Sequence, residues 1–432
     1  MKILLVNAPW YGENWKGTKA GCRWNFISEG TPDKRNLSKQ KDFYYATFPF
    51  FLSFATSKLI QAGYDAVLYD ALAICDTYEE FYARIKKEKP DIVLLETSTP
   101  SWEQDMVIAQ NLNSEGIKVA IAGPMVQYAV ETLKIQNKET WVDFWLIGEY
   151  IESILEIAKT QRKGIYESIP TDILKLPMPY RDDNVLLYND YFSFGQFIPK
   201  PQLQIWTSFG CPYSCTFCLW RWTMTYGKYR KRPIEDIKKE IRYCLDKWHF
   251  KSILFDDDTF NVGDEHPTAI ARMMRNEFKN ISWAAMVRSD SCKLDTFKFM
   301  FDCGCMGLKV GVETFFDCNK NVDKGLKIDN LLERIIQIHN IGFYCYLSTM
   351  QYIPGETEID RKKTEQTLKD LTQFGIRWQR PACTPICGTP LYKKFAEFEK
   401  KEYNNNIDFF ELGKYYNNEI LQKRIKEFSK NG

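Results

Sequence analysis

The sequence predicts an α/β protein of two parallel-sheet units, a Rossmann-like doubly wound unit followed by a partial, TIM-type (β/α)6 barrel. Three observations predict it. Short apolar runs alternate with helix-period segments from residue 3 to 160, the rhythm of a parallel sheet with crossover helices. A proline-bearing stretch at 161–200, with LPMPYRDD and IPKPQ, interrupts that rhythm. Six further strand–helix units then run from 202 to 382. At 432 residues the chain is also longer than one hydrophobic core usually serves.

The first unit opens with ILLVN (3–7), a buried-strand run that stops at Ala-Pro. Residues 48–62 carry helical spacing and stop at Gly63, and VLYD (67–70) is the next strand. The charged helix YEEFYARIKKEKP leads into DIVLLETS (91–98), helix 103–115 ends at Gly116, and KVAIAG (118–123), WVDFWLIG (141–148) and helix 151–160 complete the set. In the second unit, strands are expected at 202–208, 252–257, 282–288, 307–313, 343–350 and 376–382. The clearest helix between them, 234–248, places Ile234, Ile237, Ile241, Leu245 and Trp248 on one stripe. Another, IDNLLERIIQIHNIG, has Asp329 as its cap and Gly342 as its stop. The boundaries expected are 1–160, a linker at 161–200, a barrel at 201–390 and an extension at 391–432, whose polar, Lys/Asn-rich tail holds a final helix.

Composition excludes several classes. The net charge is +2, with 58 Lys and Arg against 56 Asp and Glu, which argues against a dedicated nucleic-acid binder. The N-terminal apolar run is too short for a signal peptide, and no window approaches a membrane-spanning length. Thirteen Cys, an odd number in a chain without a secretory signal, read as reduced thiols in the cytoplasm.

SFGCPYSCTFCLWRW (208–222) places Cys211, Cys215 and Cys218 within eight residues, just after the first barrel strand. In such barrels chemistry sits at the C-terminal ends of strands. Structural zinc wants four ligands, and only three are local, so a zinc site would need a distant thiol such as Cys244, Cys303 or Cys305. Buried core thiols are the other plain reading. A 4Fe-4S cluster held by three thiolates fits better, because it leaves one iron open to a substrate. Polar groups recur at the other strand ends: Asp256, Asp257, Asp258, Arg288, Glu313 and the turn IPGET around Gly355.

CxxxCxxC in this place, with Phe217 before the last Cys, resembles the radical S-adenosylmethionine (radical SAM) superfamily. TSFGCPYSCTFC, FDDDTF, VGVETF, IPGET and CGTPLY resemble its cobalamin-dependent branch, class B methyltransferase-like. SKLIQAGYDAVLYDA, LLETSTPSW, IAGPM and IGEYIESILEI resemble that branch's cobalamin-binding domain, so the likeness covers most of 1–395. It implies a 4Fe-4S cluster on Cys211, Cys215 and Cys218, S-adenosylmethionine on its open iron, and bound cobalamin. Glu313 at a strand end suits a ribose hydroxyl, Arg288 the carboxylate, and one of Asp256, Asp257 and Asp258 the ammonium. Gly355 lets backbone approach adenine. A solvated strand end, a barrel ion pair or a helix-starting turn would account for the same residues without a cofactor.

Residues 1–160 contain no His, and the three His of the chain, His249, His266 and His339, lie elsewhere. Cobalamin would therefore sit without a His ligand. Thr97, Ser98, Thr99 and Ser101 suit its tail or phosphate, and Gly123 and Gly148 allow close backbone approach. The loop from Ala71 to Ile74 is the candidate beneath cobalt. The alternative is a Rossmann-like domain with another nucleotide or none; no GxGxxG is present, which counts against NAD. Three positions depart from the branch: Phe209 for Arg, Met125 for His and Tyr150 for Gly. Cys383 and Cys387 read as core thiols. Trp206, Tyr213, Trp220 and Trp222 either pack or line a substrate or corrin pocket.

The expectation is a radical SAM C-methyltransferase that uses a 5′-deoxyadenosyl radical and methylcobalamin on an unactivated carbon, fed by a flavodoxin- or ferredoxin-type electron donor. Its substrate is a small molecule, sugar, lipid or peptide. Cyclisation, rearrangement or ring contraction with the same cofactors is the alternative outcome, and a non-catalytic iron–sulfur or zinc sensor is the rival of a different class.

Overall fold

The structure is a computed structural model that describes residues 1–12, 15–17, 19, 28–29, 45–138, 140–194, 197–326, 330–403 and 419–431. The first sheet holds β1 (Lys2–Asn7), β2 (Asp65–Asp70), β3 (Ile92–Glu96), β4 (Lys118–Ala122), β5 (Phe144–Leu146) and β6 (Gly164–Tyr166). All are parallel, in the order β6-β5-β4-β3-β1-β2. Its helices are α1 (Phe50–Gln61), α2 (Tyr78–Glu88), α3 (Trp102–Ser114), α4 (Pro124–Glu131) and α5 (Ile151–Thr160). The central strands are buried on both faces, as their unbroken apolar runs require: every residue of β3 is buried. Local signals start and stop the helices. α2 begins in a capping box between Thr77 and Glu80 and ends with Lys89 in the left-handed region, just before a proline.

The order reverses beside β1, which lies between β2 and β3. That switch point opens a crevice at the carboxyl ends of β1 and β3, the usual ligand position in open α/β sheets.

The segment 161–200 is more than the linker that its composition suggests. It supplies β6 to the first sheet, and Asn189–Asp190 pairs antiparallel with Tyr45–Ala46. β6 is a three-residue, largely exposed edge strand, so it carries no apolar pattern to read.

The second sheet holds β7 (Gln202–Ile205), β8 (Ser252–Phe255), β9 (Ser282–Val287), β10 (Cys305–Glu313), β11 (Tyr344–Thr349) and β12 (Arg377–Gln379), parallel and in sequence order. β7 and β12 are its two edges, so the barrel is open. Around it lie α6 (Ile234–Trp248), α7 (Glu265–Glu277), α8 (Leu294–Asp302), α9 (Leu331–Asn340), α10 (Glu358–Gln373) and α11 (Pro390–Tyr403). On α6, Ile237, Ile241 and Trp248 are buried as the stripe predicts. Glu240 is buried on the same helix, which the stripe does not explain. Asp329, the expected cap of α9, lies outside the described residues.

A last helix, α12 (Glu419–Asn431), returns to the barrel. Phe428 meets Phe395 of α11 edge-on at 5.3 Å, and the carbonyl of Ser429 accepts from the Gly355 N–H at 2.7 Å. No described helix is long and apolar enough to cross a membrane.

The two units share a core. Phe50 of α1 stacks on Trp206 at 4.3 Å, and Phe51 packs against Trp206, Phe209 and Trp220. The Phe48 N–H donates to the Gln204 side chain of β7. Arg230 pairs with the buried Glu149 of the first unit.

Candidate radical SAM site

A two-residue antiparallel pairing, Ser208–Phe209 with Arg230–Lys231, closes the base of a long loop beyond β7. That loop carries Cys211, Cys215 and Cys218. Gly210 begins it with φ +77°, and an added Cβ would stand 2.3 Å from the Lys228 carbonyl, so the turn has no room for a side chain. Phe209 is 1% exposed and faces Phe51, Phe54 and Trp206. Its apolar ring therefore packs into the contact between the two units.

Several groups hold the loop. The Thr216 N–H donates to the Val322 carbonyl at 2.9 Å, and the Leu391 N–H to the Thr216 carbonyl at 3.1 Å. Trp222, in a short π-helical turn at Arg221–Thr225, donates its indole N–H to the Cys215 carbonyl at 3.0 Å. Cys211 lies 3.4 Å from the Thr259 hydroxyl. The charge of Cys215 reaches both Cys211 and Cys218. Burial pushes Cys218 up to about 12, with the charges of Cys215 and Cys211 adding to the effect. Burial also raises Cys215, against the pull of the Lys324 and Arg288 cations. Among the described residues no three His, Cys, Asp or Glu converge to hold a single metal ion. A cubane places each thiolate on a different iron, so its ligands need not converge.

The polar strand ends expected from sequence do gather here, with partners the sequence did not disclose. Asp257 is fully buried, and one of its oxygens accepts from the Thr207 N–H and hydroxyl and the Ser208 hydroxyl. Burial still pushes its carboxyl up to about 6, and its other oxygen has no partner among the described residues. Asp257 thus ties the end of β8 to that of β7. Asp256 is buried too, and its N–H bonds back to Ile205 of β7. Asp258 is the acid whose charge reaches Cys211 and Cys218. Arg288 forks onto Asp290 with two bonds of 3.1 Å, donates to the Lys324 carbonyl at 2.9 Å and lies 3.8 Å over the Tyr213 ring. Tyr213 belongs to the cysteine loop, so Arg288 holds that loop as well as lining the site.

Glu313 ends β10 at a bulge, with φ +63°. A left-handed glutamate is unusual and strained. Its carboxylate pairs with Lys324 at 2.6 Å, both side chains being 8% exposed. Gly355 has φ +78°, and an added Cβ would meet the Asn321 amide at 2.4 Å. Its N–H is already bonded to Ser429, so its bare backbone serves contact with Asn321 and α12.

Sequence reasoning missed Lys324, the Tyr213–Arg288–Asp290 contact and Thr259. One signal was present: Gly311, a glycine inside β10, where an added Cβ would lie 2.8 Å from the Lys324 ammonium.

At the crevice of the first sheet, the predicted hydroxyls bond mainly to one another. Ser98 and Ser101 share a hydrogen bond of 2.8 Å, Ser101 donates to Asp105 at 2.6 Å, and Asp105 pairs with the buried Lys19. Thr97 bonds to the Ser98 carbonyl. Two buried atoms remain without partners among the described residues, the Thr99 hydroxyl and the Asn7 side-chain oxygen at the end of β1. Such atoms fit a polar ligand in that crevice. A Cβ added at Gly123 (φ +120°) would stand 2.2 Å from the Thr97 carbonyl oxygen, and one at Gly148 would meet Ser168 and Tyr226, so both glycines make room for neighbouring protein. Ala73 in the 71–74 loop is pinned to Asp70 by its N–H. Met125 is fully buried in the core. Cys383 and Cys387 are buried in the same core cluster, as expected.

Tyr150 donates its phenol to the buried Glu96 at the end of β3. Burial raises the Glu96 carboxyl from 4.5 to about 7. A folded-state pKa above the unfolded one binds protons on folding, so this group's stabilisation is present below about 4.5 and is lost as pH rises to about 7. Glu96→Gln removes that loss. Urea unfolding is expected to show the variant gaining on the native protein between pH 4.5 and 7.5, by a quantity on the order of 1–3 kcal/mol. A constant difference across that range would contradict the assignment.

Residues 207–368 match the Radical SAM superfamily. The chain carries a radical SAM domain. Such a domain uses S-adenosylmethionine and a 4Fe-4S cluster, and the match contains all three loop cysteines, Arg288, Glu313 and Lys324. Beyond the domain, the chain is 25% identical over 362 residues to an uncharacterized methyltransferase of Pyrococcus horikoshii, covering 78% of this chain and 76% of that one. Two solved folds resemble the whole arrangement around the radical SAM domain. The methyltransferase TsrM of Kitasatospora setae, solved with cobalamin and a 4Fe-4S cluster, has a TM-score of 0.67 at 13% identity, covering 92% of this chain and 78% of that one. The cobalamin-dependent radical enzyme OxsB, solved with aqua-cobalamin and S-adenosylmethionine, has a TM-score of 0.65 at 12% identity, covering 95% of this chain and 63% of that one.

Proposed function

We propose that this chain is a cobalamin-dependent radical SAM methyltransferase that methylates an unactivated carbon. The observation that carries the reading is the placement of Cys211, Cys215 and Cys218 on one loop beyond the first strand of an open six-stranded barrel, with buried, charged strand ends around it, against a switch-point sheet whose crevice holds unpartnered polar atoms. The cobalamin printed with the TsrM and OxsB folds favours it over a sensor, and the methyltransferase names of TsrM and of the Pyrococcus relative favour methylation over ring contraction.

In this reading the first unit holds cobalamin, the barrel holds the cluster and S-adenosylmethionine, and α11 and α12 pack on the barrel. When bound, these groups supply an electron to the sulfonium, the resulting 5′-deoxyadenosyl radical for hydrogen abstraction, and a methyl from methylcobalamin. The chain's residues do the rest. Cys211, Cys215 and Cys218 hold the cluster as thiolates. Glu313 would offer an oxygen to a ribose hydroxyl, and Asp258, whose charge reaches Cys211 and Cys218, would accept from the ammonium. Arg288 meets the carboxylate from its seat on Tyr213. Asn7 and Thr99 would contact the cobalamin tail, and residues 1–160 offer no His to cobalt. Buried aromatic packing between the units, centred on Trp206 and Trp220, keeps water from the shared face. A flavodoxin- or ferredoxin-type protein delivers electrons.

The test is anaerobic incubation with S-adenosylmethionine, methylcobalamin and a reductant, with candidate sugars, lipids, peptides and small metabolites followed by mass spectrometry. 5′-Deoxyadenosine and a product heavier by one methylene are expected. Bound cob(II)alamin should show no nitrogen splitting from an axial base in its paramagnetic resonance spectrum. A protein that retains no corrin and forms no 5′-deoxyadenosine would refute the reading.

A further inference from the structure

Lys324 is 7% exposed, in a loop that no motif singled out. Three bonds fix it beside the cysteines. The Thr216 N–H, next to Cys215, bonds to the carbonyl of Val322, two residues before Lys324. The Lys324 N–H donates to the Asn319 carbonyl, and its own carbonyl accepts from Arg288. The ammonium lies over Gly311 and donates to Glu313 at 2.6 Å. An ammonium has three donors, and among the described residues the other two find no acceptor. A structural ion pair alone does not require a glycine in the strand beneath it, nor a backbone bond from the lysine's loop to the cysteine loop.

We propose that Lys324 is a positioning residue that sets a buried positive charge beside Cys215 and thereby raises the reduction potential of the cluster held there, with Glu313 offsetting part of that charge. The proposal rests on the reading of Cys211, Cys215 and Cys218 as cluster ligands. One-electron reduction adds a negative charge to the cluster, with the electron taken from the external reductant and no bond broken. A nearby cation stabilises the reduced form, and a nearby anion destabilises it. Low local dielectric keeps both effects strong at this depth.

The experiment is a dithionite titration of anaerobically reconstituted full-length protein, without S-adenosylmethionine, followed by the paramagnetic resonance signal of the reduced cluster. Lys324→Met should keep full iron and sulfide and shift the midpoint potential negative. Glu313→Gln should shift it positive, and Lys324→Arg should stay near the native value. Opposite shifts from the two members of one ion pair are the signature of charge, because loss of a merely structural pair would move both variants alike. Unchanged potentials, or shifts of the same sign, in cluster-replete variants would overturn the proposal. If Lys324→Met loads no cluster, the Glu313→Gln shift decides, a positive one supporting the proposal and any other overturning it. Native protein that takes up no cluster would instead overturn the ligand reading, and this proposal with it.

Discussion

Replacing Cys211, Cys215 and Cys218 together by Ala is expected to leave a folded protein that retains almost no iron or sulfide. The three thiols sit on a loop whose shape is set by other groups: the pairing of Ser208–Phe209 with Arg230–Lys231, the Thr216 backbone bonds and the Trp222 indole. Cys211 and Cys218 are partly exposed and Cys215 alone is buried, so their removal takes little packing from that loop. It takes all the local ligands from the cluster. Iron and sulfide assay after anaerobic reconstitution, with circular dichroism as the folding control, makes the measurement. Cys383→Ala with Cys387→Ala is the comparison. Both thiols are buried in a core cluster, so their loss should lower stability by roughly 1 kcal/mol each and leave the iron content intact. Full iron in the triple variant would end the assignment of this loop.

The largest expected effect on stability lies at Glu240. Its carboxylate takes Arg181 on one oxygen, at 2.5 and 3.0 Å, and Arg232 on the other at 2.7 Å. The Arg181 and Glu240 side chains are 0% exposed and that of Arg232 is 4% exposed. Glu240→Gln leaves two guanidinium groups buried without a counter-charge, which costs about 3–5 kcal/mol. Urea unfolding measures it. Glu235→Gln on the same helix, whose partner Lys238 lies at the surface, should change stability by less than about 1 kcal/mol. The triad also clamps three segments. Arg181 comes from 161–200 and also donates to the Gln204 carbonyl of β7, while Arg232 follows the cysteine loop and donates to the Trp206 carbonyl. The destabilised variant should therefore also lose cluster more readily. A change below 1 kcal/mol at Glu240 would mean that the burial is relieved by water.

Much of this was legible along the chain. Strands such as ILLVN and DIVLLETS announce themselves because a parallel sheet buries both faces and so uses unbroken apolar runs. The cysteine loop was legible because its ligands are local in sequence. β6 was not, since a short exposed edge strand needs no apolar pattern. Glu240 reads as one more charge on a charged helix, and only the arrival of Arg181 and Arg232 makes it a buried anion.

The site divides in the same way. The amino-acid sequence by itself determined which residue types stand at the strand ends and how the three thiols are spaced, because both follow from local order and period. What those residues face was decided by the tertiary structure. Arg288 is turned onto Asp290 and Tyr213, and Ser98 and Ser101 are drawn into a network with Asp105 and Lys19. Gly355 is covered by Asn321 and α12, and Glu313 is joined to Lys324 across a glycine that makes room for the ammonium. Tyr213, Lys19, Asn321 and α12 come to these groups from distant loops or helices. Their meeting depends on how β10, the cysteine loop and the returning helix pack together, and a buried charge takes its role from the group it meets there.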